Sequence, residues 1–144
     1  MKNIILLLLP IIFLSCGTDQ GEGKTYTYTV INKSGKTIEI RSYISYLPNV
    51  TPVITNIENG QEITKTFEDG LPPSGYSFKS FFGENPNRDS LVVVYNQEKI
   101  NFFGDDCSNT RNPLNNCFYR DEEETFIFSQ EDYQNATPCD GDCE

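Results

Sequence analysis

The sequence predicts an all-β fold, an antiparallel β-sandwich or small barrel of about eight strands with one short C-terminal helix. Three observations carry this. Apolar and polar residues alternate at period 2 along successive short segments. Turn-forming residues separate those segments at short intervals. The chain has neither heptads nor a solenoid repeat, and one stretch near its end carries a helix start signal.

The elements follow in order. Tyr26, Tyr28 and Val30 alternate with Thr25, Thr27 and Thr29, which is a strand pattern. Asn32-Lys33-Ser34-Gly35 is turn chemistry, and beyond it Ile38, Ile40 and Ile44 share one face while Glu39, Arg41 and Tyr43 share the other. These two strands read as a first hairpin. Residues 50–57 are rich in β-branched side chains, Asn59-Gly60 suits a type I′ turn, and Ile63 and Phe67 lie on a returning strand, so a second hairpin is expected. Pro52 implies that its outgoing strand sits at an edge or begins late. Residues 70–75 hold two glycines and two prolines and must be a loop. Residues 76–82 read as a strand with Tyr76, Phe78 and Phe82 on one side. Leu91-Val92-Val93-Val94-Tyr95 is apolar on both faces and is expected to be the most central strand. Asn96-Gln97 turns it into residues 99–103, a long irregular segment spans 104–116, and residues 125–128 form the last strand. Ser129 then caps a short helix with Glu131 and Asp132 in its first turn, and Thr137-Pro138 ends it.

The amino end has a different character. Lys2 precedes an apolar run over residues 4–14, broken only by Pro10, and Phe13-Leu14-Ser15-Cys16 closes it. Eleven residues fall short of the ~20 that a spanning helix needs. No Ala-x-Ala-like cleavage site is present. A small residue directly before a cysteine is what bacterial lipoprotein processing requires. Residues 1–15 are therefore expected to be a lipoprotein signal peptide and Cys16 the lipidated residue, carrying acyl chains such as palmitate. Residues 16–24 read as a flexible tether, and residues 25–144 as a single β domain whose C-terminal region bears disulfides. The expected location is the cell envelope, lipid-anchored to a membrane at the periplasmic face or the outer-membrane surface.

Charge narrows the partners. The chain carries 11 basic and 21 acidic residues. Loss of Lys2 with the signal leaves 10 and 21, a net −11. Residues 16–104 hold 8 basic and 10 acidic residues, whereas residues 105–144 hold 2 and 11. Such a balance argues against a nucleic-acid partner, because a phosphate backbone needs a cationic face.

Cys107, Cys117, Cys139 and Cys143 remain after lipidation. An even number in an oxidising compartment implies two disulfides. Three pairings are open, and Cys107–Cys117 with Cys139–Cys143 is preferred, clamping a loop and closing a tight ring at the tail. A zinc site usually wants tighter paired spacings, and the chain has no histidine; no metal or other cofactor is expected.

Catalytic residues are not expected either. Without histidine the commonest general base and both familiar triads are missing. No phosphate-cradling glycine loop occurs. The run Asp121-Glu122-Glu123-Glu124 reads as a solvated turn, not as a glycosidase pair. Calcium ligands could come from Asp105, Asp106 and Asn109 or from Asp140, Asp142 and Glu144, but neither stretch has EF-hand spacing. Tyr43, Tyr46 and Phe81 fall on the less apolar faces of their segments, where exposed aromatics would stack on a sugar or anchor a protein.

Several segments together resemble small cell-envelope lipoproteins of Bacteroidota without an assigned function. They are the Phe13-Leu14-Ser15-Cys16 ending, the Thr/Tyr-rich first strand, Asp89-Ser90-Leu91-Val92-Val93-Val94-Tyr95, Arg111-Asn112-Pro113-Leu114-Asn115, and Phe126-Ile127-Phe128-Ser129-Gln130-Glu131-Asp132-Tyr133. The resemblance implies a β-rich envelope domain and supplies no catalytic residues. Asp89-Ser90-Leu91 also resembles the Asp-Ser/Thr-aliphatic tripeptide that Bacteroidota O-glycosylate, which makes Ser90 a candidate glycosylation site. Taken together, the expected function is a non-catalytic binding or structural accessory, held to a membrane by its lipid and meeting a protein or glycan partner. The alternatives are a lipocalin-like carrier of a small apolar ligand, if the strands close around a pocket, and an immunity or inhibitor protein for a basic toxin or enzyme.

Overall fold

The structure is a computed structural model of the 144-residue chain and describes residues 22–72, 75–83 and 88–143. The signal segment and Cys16 lie outside the described residues. Among the described residues eight strands form two sheets: β1 (Thr25–Lys33), β2 (Ile38–Tyr43), β3 (Val53–Ile57), β4 (Glu62–Glu68), β5 (Ser90–Tyr95), β6 (Lys99–Gly104), β7 (Glu123–Ser129) and β8 (Thr137–Pro138). One helix, α1 (Gln130–Asn135), follows β7 directly. The smaller sheet has the order β4-β1-β7 and the larger β3-β2-β5-β6-β8. Neither sheet closes on itself, and the two pack as a sandwich.

Alternation sets which side chains face inward. Tyr26, Tyr28 and Val30 of β1 are buried, as are Phe126 and Phe128 of β7. Ile38 and Ile40 of β2 and Leu91, Val93 and Tyr95 of β5 oppose them from the larger sheet. β5 lies at the centre of that sheet, with Val94 buried on its outer side as well. β3 is an edge strand and begins at Val53, just after Pro52, so both readings of that proline hold. Each fully buried large apolar side chain contributes about 1.5–3 kcal/mol relative to exposure.

The expected pairing of neighbours is corrected in two places. β1 and β2 do not form a hairpin, nor do β3 and β4. β1 pairs with β4 antiparallel and with β7 in parallel, while β2 pairs with β3 and β5. The chain therefore crosses between sheets at both turns. The two crossings lie side by side and are tied together: Gly60 N–H donates to Asn32 O at 2.7 Å and Gly35 N–H to Asn59 Oδ1 at 2.9 Å. Of the pair Asn59-Gly60, only Gly60 has a positive φ (83°), so the turn is not type I′. The β5–β6 hairpin does form, with Asn96 and Gln97 left-handed (φ 48° and 58°) and Glu98 N–H bonded to Tyr95 O at 2.8 Å.

A third correction concerns the strand expected at residues 76–82. Phe78–Phe82 is instead a 3-10 helix, with Ser80 N–H donating to Ser77 O at 2.8 Å. Its spacing buries Phe78, Phe81 and Phe82 together, which a strand could not do with both of the adjacent residues Phe81 and Phe82. These rings plug the space between the sheets. Phe78 meets Tyr28 at 5.5 Å and Tyr119 at 5.3 Å between ring centroids, and Phe126 meets Phe128 at 4.8 Å. The helix start signal holds: Ser129 Oγ accepts from Asp132 N–H, and Asp132 Oδ2 accepts from Ser129 N–H at 2.6 Å, a reciprocal cap.

Candidate functional site

The cysteines pair as Cys107–Cys117 and Cys139–Cys143. The first disulfide clamps the loop between β6 and β7, and two buried asparagines brace that loop from inside. Asn112 Nδ2 donates to Gly104 O at 2.7 Å and Asn115 Nδ2 to Asn109 O at 2.8 Å. Asn112 Oδ1 accepts from Leu114 N–H and Asn115 Oδ1 from Cys117 N–H, both at 2.9 Å. Such bonds replace the ladder that an irregular segment lacks. The second disulfide closes the tail, and Arg41 Nη1 donates to Cys143 O at 2.6 Å, which draws the ring onto the outer face of the larger sheet.

That outer face and the turn beside it carry five of the eight large exposed apolar side chains among the described residues, Leu71, Tyr76 and Phe118 being the others. The register sets Ile54, Arg41, Val92 and Phe102 in one row across β3, β2, β5 and β6. At about 4.8 Å per strand the row spans ~14 Å. Phe102 is 68% exposed, and Ile54 is 52% exposed. The turn after β2 adds Tyr46, Leu47 and Val50, all exposed. A hollow of about 360 Å³ lies between Phe102, Val92, Tyr43, Leu47 and Val50. On the other side of Phe102 a second hollow, about 330 Å³, is walled by Ile100 and the tail from Thr137 to Cys143, including Asp140 and Asp142. Three hollows thus share one ring, because Phe102 also borders a polar cleft of about 290 Å³ beneath the edge of β6.

The cleft is built around Arg111. Its Nη2 donates to Asp132 Oδ2 and, at 2.7 Å, to Ile127 O; its Nε reaches Asp132 Oδ1 at 3.3 Å; and the guanidinium lies over the Phe126 ring, 4.9 Å from the centroid. Asn101 Nδ2 donates to Asp132 O at 3.1 Å. Sequence reasoning missed this cluster. Arg111 and Asp132 lie 21 residues apart, and no local pattern links them.

The other candidates are placed as follows. Phe81 is fully buried, so it is no contact residue; Tyr46 is 61% exposed, and Tyr43 is half-buried on the hollow's wall. Ser90 opens β5 and is buried, its Oγ 3.3 Å from Ser45 Oγ and from Asp89 Oδ1. Ser90 also lines the hollow beside Phe102. Burial would raise the Asp89 carboxyl, but hydrogen bonds from Ser45 and Ser90 outweigh it and hold the group below its ordinary value. Asp105 pairs with Lys79 at 2.7 Å and Asp106 accepts from Ser108 N–H and Oγ. Asp140 and Asp142 lie on the tail ring, and Glu144 is outside the described residues. Among the described residues no three His, Cys, Asp or Glu side chains converge as for a metal ion, and no helix is long and apolar enough to cross a membrane.

Arg88 stands apart: it is buried, its Nη1 donates to Ser42 O, and among the described residues no carboxylate pairs with it. Burial lowers its pKa. Its side chain packs over Gly83, where an added Cβ would lie 2.2 Å from Nε.

No protein-family model, curated protein or solved structure matches the chain.

Proposed function

We propose that this chain is a lipid-anchored protein of the cell envelope, tethered through Cys16, and that it acts without catalysis as an accessory that docks a partner protein through the outer face of the larger sheet. The observation that carries this is where the large exposed apolar side chains fall. Of the eight large exposed apolar side chains among the described residues, five (Phe102, Ile54, Tyr46, Leu47 and Val50) gather on or beside one face, and apolar surface gathered in that way marks interaction sites. Phe102 is the anchor, an exposed ring between two hollows that a partner's side chains can fill.

What speaks against a lipocalin-like carrier is the filled interior, where Tyr28, Phe78, Phe81, Phe82, Phe126 and Phe128 occupy the space a small apolar ligand would need. An immunity or inhibitor role is the form docking takes if the partner is a basic toxin or enzyme, since the last forty residues are strongly acidic.

The test uses membranes dissolved in a mild detergent and resolved on native gels. The wild-type chain is expected in an assembly larger than the monomer. Phe102→Asp is expected to release the monomer, and Thr66→Asp, on the outer face of the other sheet, to leave the assembly intact. Cys16→Ser is expected to move the chain to the soluble fraction without acyl mass. A monomeric wild type, or assembly indifferent to Phe102→Asp, contradicts docking; unchanged fractionation of Cys16→Ser contradicts the anchor.

A further inference from the structure

We propose that the polar cleft bordered by Phe102, Arg111 and α1 binds a neutral saccharide, a ligand class separate from the docked protein. The cleft holds about 290 Å³, at the small end of ligand pockets, which run from ~300 to 1,000 Å³. That volume suits one sugar residue, such as the end of a glycan chain, and not a long stretch of it.

Its walls carry the two kinds of surface that a sugar ring needs. Phe102 offers an exposed aromatic face for the ring's C–H side. The same lining holds planar polar groups, the amides of Asn101 and Asn135, the Glu131 carboxylate and the Arg111 guanidinium. Each presents neighbouring donors or acceptors at the spacing of vicinal hydroxyls.

Much of this hydrogen-bonding capacity is free. Among the described residues the Asn135 amide, the Glu131 carboxylate and Arg111 Nη1 make no side-chain hydrogen bond, while Asn101 Nδ2 and the Asp132 carboxylate are held in place from behind. The backbone adds a second, independent observation. β8 pairs only with Lys99 and Ile100 of β6. Glu98 O accepts from Cys139 N–H and Gly104 O from Asn112 Nδ2, both on the edge away from β5. By the alternation of an antiparallel strand, Phe102 N–H and C=O point to that same edge, between them and without a partner among the described residues. An unpaired donor and acceptor therefore border the cleft beside the exposed ring.

Charge selects the class. Arg111 is neutralised by Asp132, and Glu131 leaves the cleft slightly negative, which disfavours phosphate and carboxylate ligands. The polar walls disfavour an apolar ligand.

The experiment is saturation-transfer NMR on the full acylated protein in a phosphocholine detergent. The probes are glucose, galactose, mannose, N-acetylglucosamine and their β-linked disaccharides. At least one is expected to receive transfer at its ring protons, with a Kd of about 1 mM. Asn135→Ala and Asn101→Ala are each expected to weaken it about tenfold, the loss of a well-made hydrogen bond or two. Both variants should keep the native-gel assembly that depends on Phe102, which separates failure of the cleft from failure of the docking face and shows that they fold. No transfer to any probe, or transfer unchanged in both variants, overturns the proposal.

Discussion

Asn32 is fully buried and uses its whole amide. Nδ2 donates to Lys36 O and Ile57 O, both at 2.8 Å, and Oδ1 accepts from Ser34 N–H at 3.0 Å and Ser34 Oγ at 2.7 Å. One side chain thus fastens both crossings between the sheets. Asn32→Ala would strand several buried groups at once, so a loss of about 2–4 kcal/mol is expected, read from the urea midpoint. Glu98 ties the β5–β6 turn to α1 by a different device. Hydrogen bonds from Lys36 above all, then from Tyr133 and Asn96, hold its carboxyl down to about 2. A folded-state value below the unfolded one adds stability above the unfolded pKa, and that stability fades as pH falls through the folded one. NMR titration is expected to find Glu98 still ionised at pH 3, and Glu98→Gln to flatten the acid limb of stability between about pH 4.5 and 2. An ordinary glutamate titration would refute the contact. At this scale the sequence was partly readable. Cys107, Cys117, Cys139 and Cys143 announced themselves by their even number and by the compartment expected from the amino end. Asn32 read only as a turn residue, because its partners lie up to 25 positions away.

Elements show where local pattern suffices and where it stops. Alternation told which residues of β1 and β2 face inward, since side-chain direction is a property of the strand itself. It could not tell which strands lie side by side. A hairpin and a crossing both begin with a strand, a turn and a strand, and Asn59-Gly60 serves either. The segment 76–82 failed for another reason. Its aromatics fit period 2 at 76, 78 and 82, but Phe78, Phe81 and Phe82 also fit a helical turn, and the need to plug the sandwich decided between them. The disulfide-clamped loop was legible as irregular, while its internal asparagine braces were not. Removing Cys107 and Cys117 together is expected to cost about 3 kcal/mol, and removing Cys139 and Cys143 about 2, from the loop lengths each closes. Urea unfolding of the two double serine variants checks this. A reduced protein with an unchanged midpoint would contradict a stabilising role for either bridge.

The whole molecule divides into two unlike halves. The sandwich is held by a ring-filled core, and its strands give it a stiff outer face. The last third is acidic, loop-rich and cross-linked, and it surrounds Phe102 with hollows on three sides. The fold class was legible because binary patterning reports on strands throughout. The exposed apolar face was not, because exposure of Phe102 depends on β8 pairing only two residues of β6 and on where the tail ring settles. Nothing in residues 99–103 distinguishes Phe102, exposed, from Phe103, buried, except a strand direction that alternation fixes only once the sheet is known. Function therefore has to be asked of the face directly. The most direct measurement is in-cell photocrosslinking with a photoreactive residue placed at position 102, at 47 or at 66. Discrete adducts from 102 and 47, with none from 66 on the opposite sheet, are the expected result; silence at 102, or equal labelling at 66, would contradict docking through this face.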